Sequence, residues 1–211
     1  MMATRIYVPC DTTALSMGAD DVARLIEHHA GVQGVAIELV RNGSRGLFWL
    51  EPMVEVETAS GRIGYGPVEP DDVQGLVEAG LFDGASGHPL FLGPVADIPY
   101  LKRQQRLTFS RIGITDPLSI TDYRDHGGFD GLETAISVEP QGIVDEVKAS
   151  GLRGRGGAAF PTGIKWQTVH DEPWQQQKYV VCNADEGDSG TFADRLAMEC
   201  DPYMLIEGMT I

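Results

Sequence analysis

The chain has 211 residues, 42% of them hydrophobic, which supplies a packed core for one large or two ordinary domains and argues against disorder throughout. Its 16 Lys+Arg against 31 Asp+Glu give a formal charge of -15, which repels polyphosphate backbones and anionic lipid, so neither nucleic acid nor a membrane surface is expected as a main partner. No stretch approaches the roughly 20 apolar residues of a bilayer span, residues 1–10 are too short and polar for a secretory signal, and a cytoplasmic location is expected.

In chain order, residues 5–9 read as a short strand and residues 19–30 as a helix, with Val22, Leu25 and Ile26 forming an apolar stripe beside Asp20 and Asp21. Residues 35–40 read as a buried strand. Asn42-Gly43 and Ser60-Gly61 are turn signals, and the second joins residues 53–57 to 62–66 in a hairpin. Pro70-Asp71-Asp72 ahead of Val73, Leu76 and Val77 opens a further helix. The order over residues 1–80 is β-α-β-β-β-α.

That order resembles the thioredoxin-like 2Fe-2S ferredoxin domain that accompanies respiratory complex I and related dehydrogenases. The resemblance implies one Cys after the first strand, a second a few residues later, and a Cys-x-x-x-Cys pair before the Pro that precedes the hairpin. Here Cys10 matches the first, residues 11–20 hold no second, and Ser44 and Phe48 stand in place of the pair ahead of Pro52. Phe cannot replace a thiolate on iron, so the domain is expected to lack its cluster, with Cys10 a packing thiol. Cys10, Cys182 and Cys200 are too few and too scattered for a disulfide framework, a CxxC knuckle or a four-thiolate cluster.

Residues 81–116 are rich in Gly and Pro and read as a connecting arm. They contain the basic run Lys102-Arg103-Gln104-Gln105-Arg106, a solvated face or, in so acidic a chain, a dock for an acidic neighbour. Residues 119–123 then lead through Gly127-Gly128-Phe129 to a helix containing Leu132 and Ile136. Residues 140–148 form a second helix stopped at Ser150-Gly151.

Residues 151–163 hold five glycines with Arg153 and Arg155, and Lys165 follows. Glycine lets successive N–H groups converge on an anion, and Arg155 or Lys165 completes a phosphate cradle. As a bare pattern this is not a dinucleotide fingerprint, and it lacks the Walker Gly-Lys-Ser/Thr ending. An RGG-type RNA-binding element is excluded by its patterned flanks and the acidic chain.

Residues 178–182 read as a strand ending in Asn183-Ala184-Asp185-Glu186-Gly187-Asp188, and polar groups at a strand's C-terminal end form the usual crevice of open α/β sheets. Residues 183–201 carry six acidic side chains against the single Arg195. Asp194, Glu199 and Asp201 read as a solvated face, whereas Asn183, Asp185 and Glu186 suit hydroxyls and ring N–H groups. Cys182, Trp166 and Phe192 read as packing residues.

Together these segments resemble the FMN-binding subunit shared by complex I, NAD-reducing hydrogenases and NAD-dependent formate dehydrogenases. The family pattern, GLRGRGGAGFPTGxKW, a strand, NADE, an acidic loop, DR and IEGM, is matched over about residues 116 to 211, ending in Asp194-Arg195 and Ile206-Glu207-Gly208-Met209. With a cluster-free domain ahead of it, the chain resembles the beta subunit of soluble molybdenum-containing formate dehydrogenases, or a hydrogenase diaphorase subunit. The resemblance implies an α/β fold, in which residues 117–211 begin an FMN- and NAD(H)-binding domain. It places Gly154, Arg155, Gly156 and Lys165 at the FMN phosphate and ring edge, and Asn183, Asp185 and Glu186 at the ribityl chain and ring polar atoms. It stacks Phe160 on the dinucleotide and sets Asp188 by the nicotinamide ribose. No general acid or base and no metal ligand is implied.

The implied activity is that of an NAD-dependent oxidoreductase subunit, passing electrons between iron–sulfur clusters and NAD through FMN. Implied partners are a 2Fe-2S thioredoxin-like gamma subunit and a molybdenum and iron–sulfur alpha subunit, with a 4Fe-4S cluster in a part beyond Ile211. The same subunit of a hydrogenase or of complex I, and a flavin-free docking protein if 211 residues is the whole chain, are the alternatives. Three positions depart from the pattern: Ala159 replaces Gly, Asp188 replaces Glu, and Thr168 stands where some members carry an aromatic.

Overall fold

The computed structural model describes residues 3–174, 177–187 and 189–211. Strand β1 (Thr4–Tyr7) buries Ile6 and Tyr7 and pairs in parallel with β2 (Ile37–Val40). Between them lie a one-turn helix, α1 (Thr12–Ser16), and the crossover helix α2 (Ala19–Gln33). Val22, Ile26 and Ala30 recur at helical spacing and are buried, and α2 stops at Gly34, whose φ of +68° is the left-handed cap that favours glycine.

β3 (Val54–Thr58) runs antiparallel on the other side of β1, and the turn before Gly61 returns the chain as β4 (Gly61–Tyr65). α3 (Val73–Glu78), entered through a Glu69/Asp72 capping box, packs Val73, Leu76 and Val77 into one core with α2 and the sheet. A parallel pair, a following antiparallel hairpin and a helix beside the crossover helix make up the thioredoxin-like α/β arrangement expected from the sequence.

The expected arm begins later than residue 81. Phe91–Pro94 form β5, antiparallel to β4, so the sheet order is β2-β1-β3-β4-β5. The Gly and Pro content hid this strand, but an edge strand tolerates both: Gly93 sits at φ +85° and the pairing shifts register at Gly64/Tyr65. Next comes α4 (Pro99–Lys102), and Val95 and Ile98 pack on Leu47 and Met53 in a second, smaller core.

Beneath the sheet Glu55 is buried between Arg45 and Arg62. Glu51 is buried nearby, where the Ser44 hydroxyl and the Met53 N–H (3.2 Å) donate to it. Burial pushes the Glu51 carboxyl up to about 7, the Ser44 hydrogen bond opposing and the charges of Asp11 and Glu55 adding. A carboxyl whose folded value lies above its ordinary 4.5 favours the fold at lower pH, and that contribution is lost as pH rises from about 4.5 through 7. In paired urea titrations at pH 5 and pH 8, Glu51→Gln therefore loses less stability on going to pH 8 than the wild type, by about 2–3 kcal/mol. Equal losses in the two proteins would refute this.

The C-terminal half is helical: α5 (Ile120–Asp125), α6 (Asp130–Ile136), α7 (Pro140–Ala149), α8 (Thr162–Asp171), α9 (Ala193–Cys200) and α10 (Pro202–Thr210). α7 and α8 meet at Gly163, where an added Cβ would lie 2.8 Å from the backbone of Lys148. Glu207 of α10 accepts the Tyr123 hydroxyl and the N–H groups of Phe129 (2.8 Å) and Leu132 (2.9 Å), tying α10 to the start of α6. Burial alone would raise its pKa; these hydrogen bonds outweigh it and hold the carboxyl below the ordinary value.

α9 docks on the first domain. Leu196 and Cys200 pack with Ile112, Phe48 and Phe109, and the Arg195 guanidinium lies over Phe192 (4.6 Å) and Phe48 (5.1 Å) while donating to the Thr13 hydroxyl. Glu199 accepts from the N–H and hydroxyl of Thr12, and Asp201 forms a buried ion pair with Arg111 at 2.9 Å. Glu199 and Asp201 are thus fixed contacts rather than the solvated face expected.

The strand expected at 178–182 is absent: the segment has no ladder partner among the described residues, and Tyr179, Val180 and Val181 are exposed. An apolar run supplies the side chains of a strand, but only a neighbouring strand satisfies its backbone. Among the described residues no helix is long and apolar enough to cross a membrane.

Candidate functional site

The glycine-rich loop runs between α7 and α8 and is closed at its base. Gly154 N–H donates to the Phe160 carbonyl (2.9 Å), Thr162 N–H to the Leu152 carbonyl (2.9 Å), and the Arg153 guanidinium to the Ala159 carbonyl (2.9 Å). Its tip is left open: a Cβ at Gly156 or Gly157 would meet nothing within 4 Å. The loop feeds directly into α8, whose first turn has no side-chain cap, so uncapped N–H groups and the positive end of the helix lie beside it.

Ala159 sits at φ +49°, the left-handed region that glycine occupies without cost. This is the position where the family pattern has Gly. Replacing it relieves about 1–2 kcal/mol of strain against about 0.5–1 kcal/mol of added unfolded-chain freedom. Ala159→Gly is therefore expected to raise stability by a few tenths to about 1 kcal/mol in urea unfolding, and a loss would show that the residue carries no strain.

The acidic loop is built differently. The Asn183 side-chain carbonyl accepts Asp185 N–H (3.1 Å) in a local turn. Glu186, at φ +55°, turns its carboxylate toward the start of α9, where it accepts Arg195 N–H (2.8 Å) and the Thr191 hydroxyl (3.2 Å). These bonds, that from Arg195 foremost, hold its pKa below the ordinary carboxylate value. Its own N–H donates to Asp194 (3.1 Å).

The two loops face each other across a cleft of about 550 Å³. Gly154, Arg155, Gly156 and Lys165 form one wall; Asn183, Asp185 and Glu186 are on the other. Seven of the nine residues singled out from the sequence thus meet in one place. Phe160 stands at the edge, half exposed, its ring centroid 5.7 Å from the Lys165 ammonium. Asp188 lies outside the described residues. Thr191 and Asp194 also line the cleft and escape sequence reasoning; their only signal is the helix start at Asp194-Arg195, which reads equally well as a solvated face.

Among the described residues Arg155 and Lys165 form no ion pair, and Asp185 has no cationic partner. Two free cations and a helix start on one side, with an amide and carboxylates opposite, fit a ligand that carries a phosphate at one end and hydroxyls along its length. FMN has that inventory. No cluster of three or more His, Cys, Asp or Glu side chains suited to a metal occurs among the described residues.

Comparison with known proteins agrees with this chemistry. Residues 147–211 match the family model described as the Nuo51 FMN-binding domain. HndC of the NADP-reducing hydrogenase of Solidesulfovibrio fructosivorans is 49% identical over 110 residues, covering 52% of this chain and 22% of the relative. An NADH-quinone oxidoreductase subunit of Aquifex aeolicus is 50% identical over 93 residues, 44% of this chain and 21% of the relative. The chain thus spans less than a quarter of these relatives' length. A thioredoxin-like [2Fe-2S] ferredoxin from Aquifex aeolicus aligns with 44% of this chain and 99% of its own at 18% identity and a TM-score of 0.37. An air-oxidised NAD+-reducing [NiFe]-hydrogenase aligns with 97% of this chain and 34% of its own at 19% identity and a TM-score of 0.36. The sequence matches support the family of FMN-binding subunits of complex I and NAD(P)-reducing hydrogenases.

Proposed function

We propose, with residues 147–211 as an FMN-binding segment of that family, that the protein is the diaphorase subunit of an NAD-dependent formate dehydrogenase, moving electrons between iron–sulfur clusters and NAD. The observation that carries the flavin reading is the cleft that sets Arg155 and Lys165 opposite Asn183 and Asp185. Choice of formate dehydrogenase rests on the thioredoxin-like domain without cluster thiolates joined in one chain to the glycine-rich loop. The organisation proposed is this domain in residues 1–80, extended by β5, an arm to residue 116, and the flavin segment in 117–211.

In this reading Gly154, Gly156, Arg155 and Lys165 bind the FMN phosphate and one ring edge. Asn183 and Asp185 bind ribityl and ring polar atoms, while Glu186 shapes that wall through its hold on α9. Phe160 and Asp188 serve the dinucleotide. When bound, FMN supplies the exchange between hydride and single electrons. The side chains orient and screen; none moves a proton. The proposed partners are a 2Fe-2S thioredoxin-like gamma subunit and a molybdenum and iron–sulfur alpha subunit, with a 4Fe-4S cluster in further polypeptide.

A second reading, the FMN-binding component of an NAD(P)-reducing hydrogenase, is favoured by the 49% identity to HndC, and the catalytic subunit that co-purifies distinguishes the two. The flavin reading itself is tested by titrating the purified protein with FMN and with riboflavin while following flavin fluorescence. Saturable quenching by FMN is expected, with riboflavin weaker by about tenfold or more because it lacks the phosphate. No saturation, or equal affinity for the two, would overturn it.

A further inference from the structure

In a chain of net charge -15, cations gathered without a carboxylate among them call for an explanation. One cleft, of about 540 Å³ and remote in sequence from the glycine-rich loop, has this property: its walls carry Arg45, Arg62, Lys102 and Arg106 and no Asp or Glu. Three of the four cations are paired from behind, two of them sharing one carboxylate. Arg45 and Arg62 turn to Glu55, and Lys102 pairs with Asp97 at 2.8 Å.

Arg106 is not balanced. It is half-buried beside Arg45, and among the described residues it has no carboxylate partner; its guanidinium donates only to the Gln104 side chain (2.8 Å) and the Arg45 carbonyl (2.7 Å). Burial and the Arg45 charge together lower its pKa, so the bare cation is held at a cost that an incoming anion would remove. Arg103, which follows the cleft-lining Lys102 in the chain, is exposed and has no carboxylate partner among the described residues.

Beside these cations the surface is aromatic. Trp49 and Tyr100 stand edge to face at 5.3 Å, 60% and 50% exposed, and Tyr100 directly precedes Leu101 and Lys102 of the cleft wall. Pro94, Val95 and Leu101 add apolar surface to the cleft. Exposed Trp, Tyr and Arg side by side are the composition of interface hot spots. A small anion would neutralise Arg106 but leave Trp49 and Tyr100 in water, and a polynucleotide would meet the repulsion of the whole chain.

We propose that the face formed by Trp49, Tyr100, Arg103 and Arg106 docks an acidic segment of a partner protein, a carboxylate entering the Arg106 cleft and an apolar side chain covering the two rings. This proposal is independent of the flavin reading.

The test is fluorescence anisotropy of a fluorescein-labelled peptide repeating Glu-Glu-Leu, with the Gln-Gln-Leu peptide as its uncharged control. The Glu peptide is expected to bind, and to weaken by about tenfold or more in Arg103→Glu/Arg106→Glu and in about 0.5 M salt. Because Arg106 also holds the Arg45 carbonyl, the exposed pair Trp49→Ser and Arg103→Glu is measured separately; each alone is expected to weaken binding about threefold or more without shifting the urea midpoint. The proposal is overturned if the Gln peptide binds as well as the Glu peptide, if the exposed variants bind like the wild type, or if inorganic phosphate competes as effectively, mole for mole, as the peptide.

Discussion

Lys165→Glu is expected to abolish FMN binding while leaving the protein folded. Lys165 lies in the first turns of α8, lines the cleft, and is exposed, so its replacement disturbs no core. Its ammonium stands 3.8 Å from where a Cβ on Gly154 would be, which places it at the throat of the glycine-rich loop. Reversal removes a cation from the phosphate and adds a carboxylate on the wall opposite Asp185 and Asp194. A charge-assisted contact is worth about 1.5–3 kcal/mol and a like-charge juxtaposition costs a further amount of the same order, so affinity should fall by about two to four orders of magnitude. The urea midpoint should stay within about 0.5 kcal/mol of wild type, as for other exposed substitutions. Lys165→Arg keeps the charge and is expected to keep most of the affinity. FMN binding at wild-type strength in Lys165→Glu would sink the assignment of this wall to the phosphate.

How far such a site is legible from sequence depends on whether its contacts are local. The glycine-rich loop is legible because its conformation is written in its own residues: Gly156 and Gly157 leave the tip open, a Cβ at either meeting nothing within 4 Å. The crossover helix and hairpin of the thioredoxin-like domain are legible for the same reason, from the stripe of Val22 and Ile26 and the turn before Gly61. Contacts between distant segments are not. Asp201 and Glu199 read as solvent-facing acids, and only the arrival of Arg111 and Thr12 makes them structural. Pattern alone assigns Glu186 to the cleft, yet its carboxylate faces the α9 N–H groups, a role that needs the positive φ found only in three dimensions. The strand expected at 178–182 fails in the opposite direction: its residues are suited to a ladder, but no described neighbour supplies one.

Glu55→Ala is expected to cost about 3–5 kcal/mol of folding stability, the range for breaking a buried ion pair from one side. Glu55 lies on β3 with a side chain 1% exposed, and it receives Arg45 at 2.5 and 2.8 Å and Arg62 at 3.2 Å. Truncation leaves two guanidiniums, 12% and 18% exposed, without their shared counter-charge. Arg62 cannot swing out to water cheaply, since it also donates to the carbonyls of Gly113 (3.0 Å) and Ile114 (2.9 Å) and lies 3.4 Å over the Tyr7 ring. The loss should therefore spread. Residues 113–114 adjoin Arg111, whose bond to Asp201 helps hold α9, and α9 in turn is capped by Glu186 at the cleft. Replacing Glu55, Arg45 and Arg62 together by apolar residues of similar volume should cost far less than Glu55→Ala, because no charge is then left buried. Urea unfolding of the single and triple variants decides the matter. A single-variant loss below about 1 kcal/mol would mean that water reaches the two arginines and that the triad is not the tie between the sheet and the segment leading to α9.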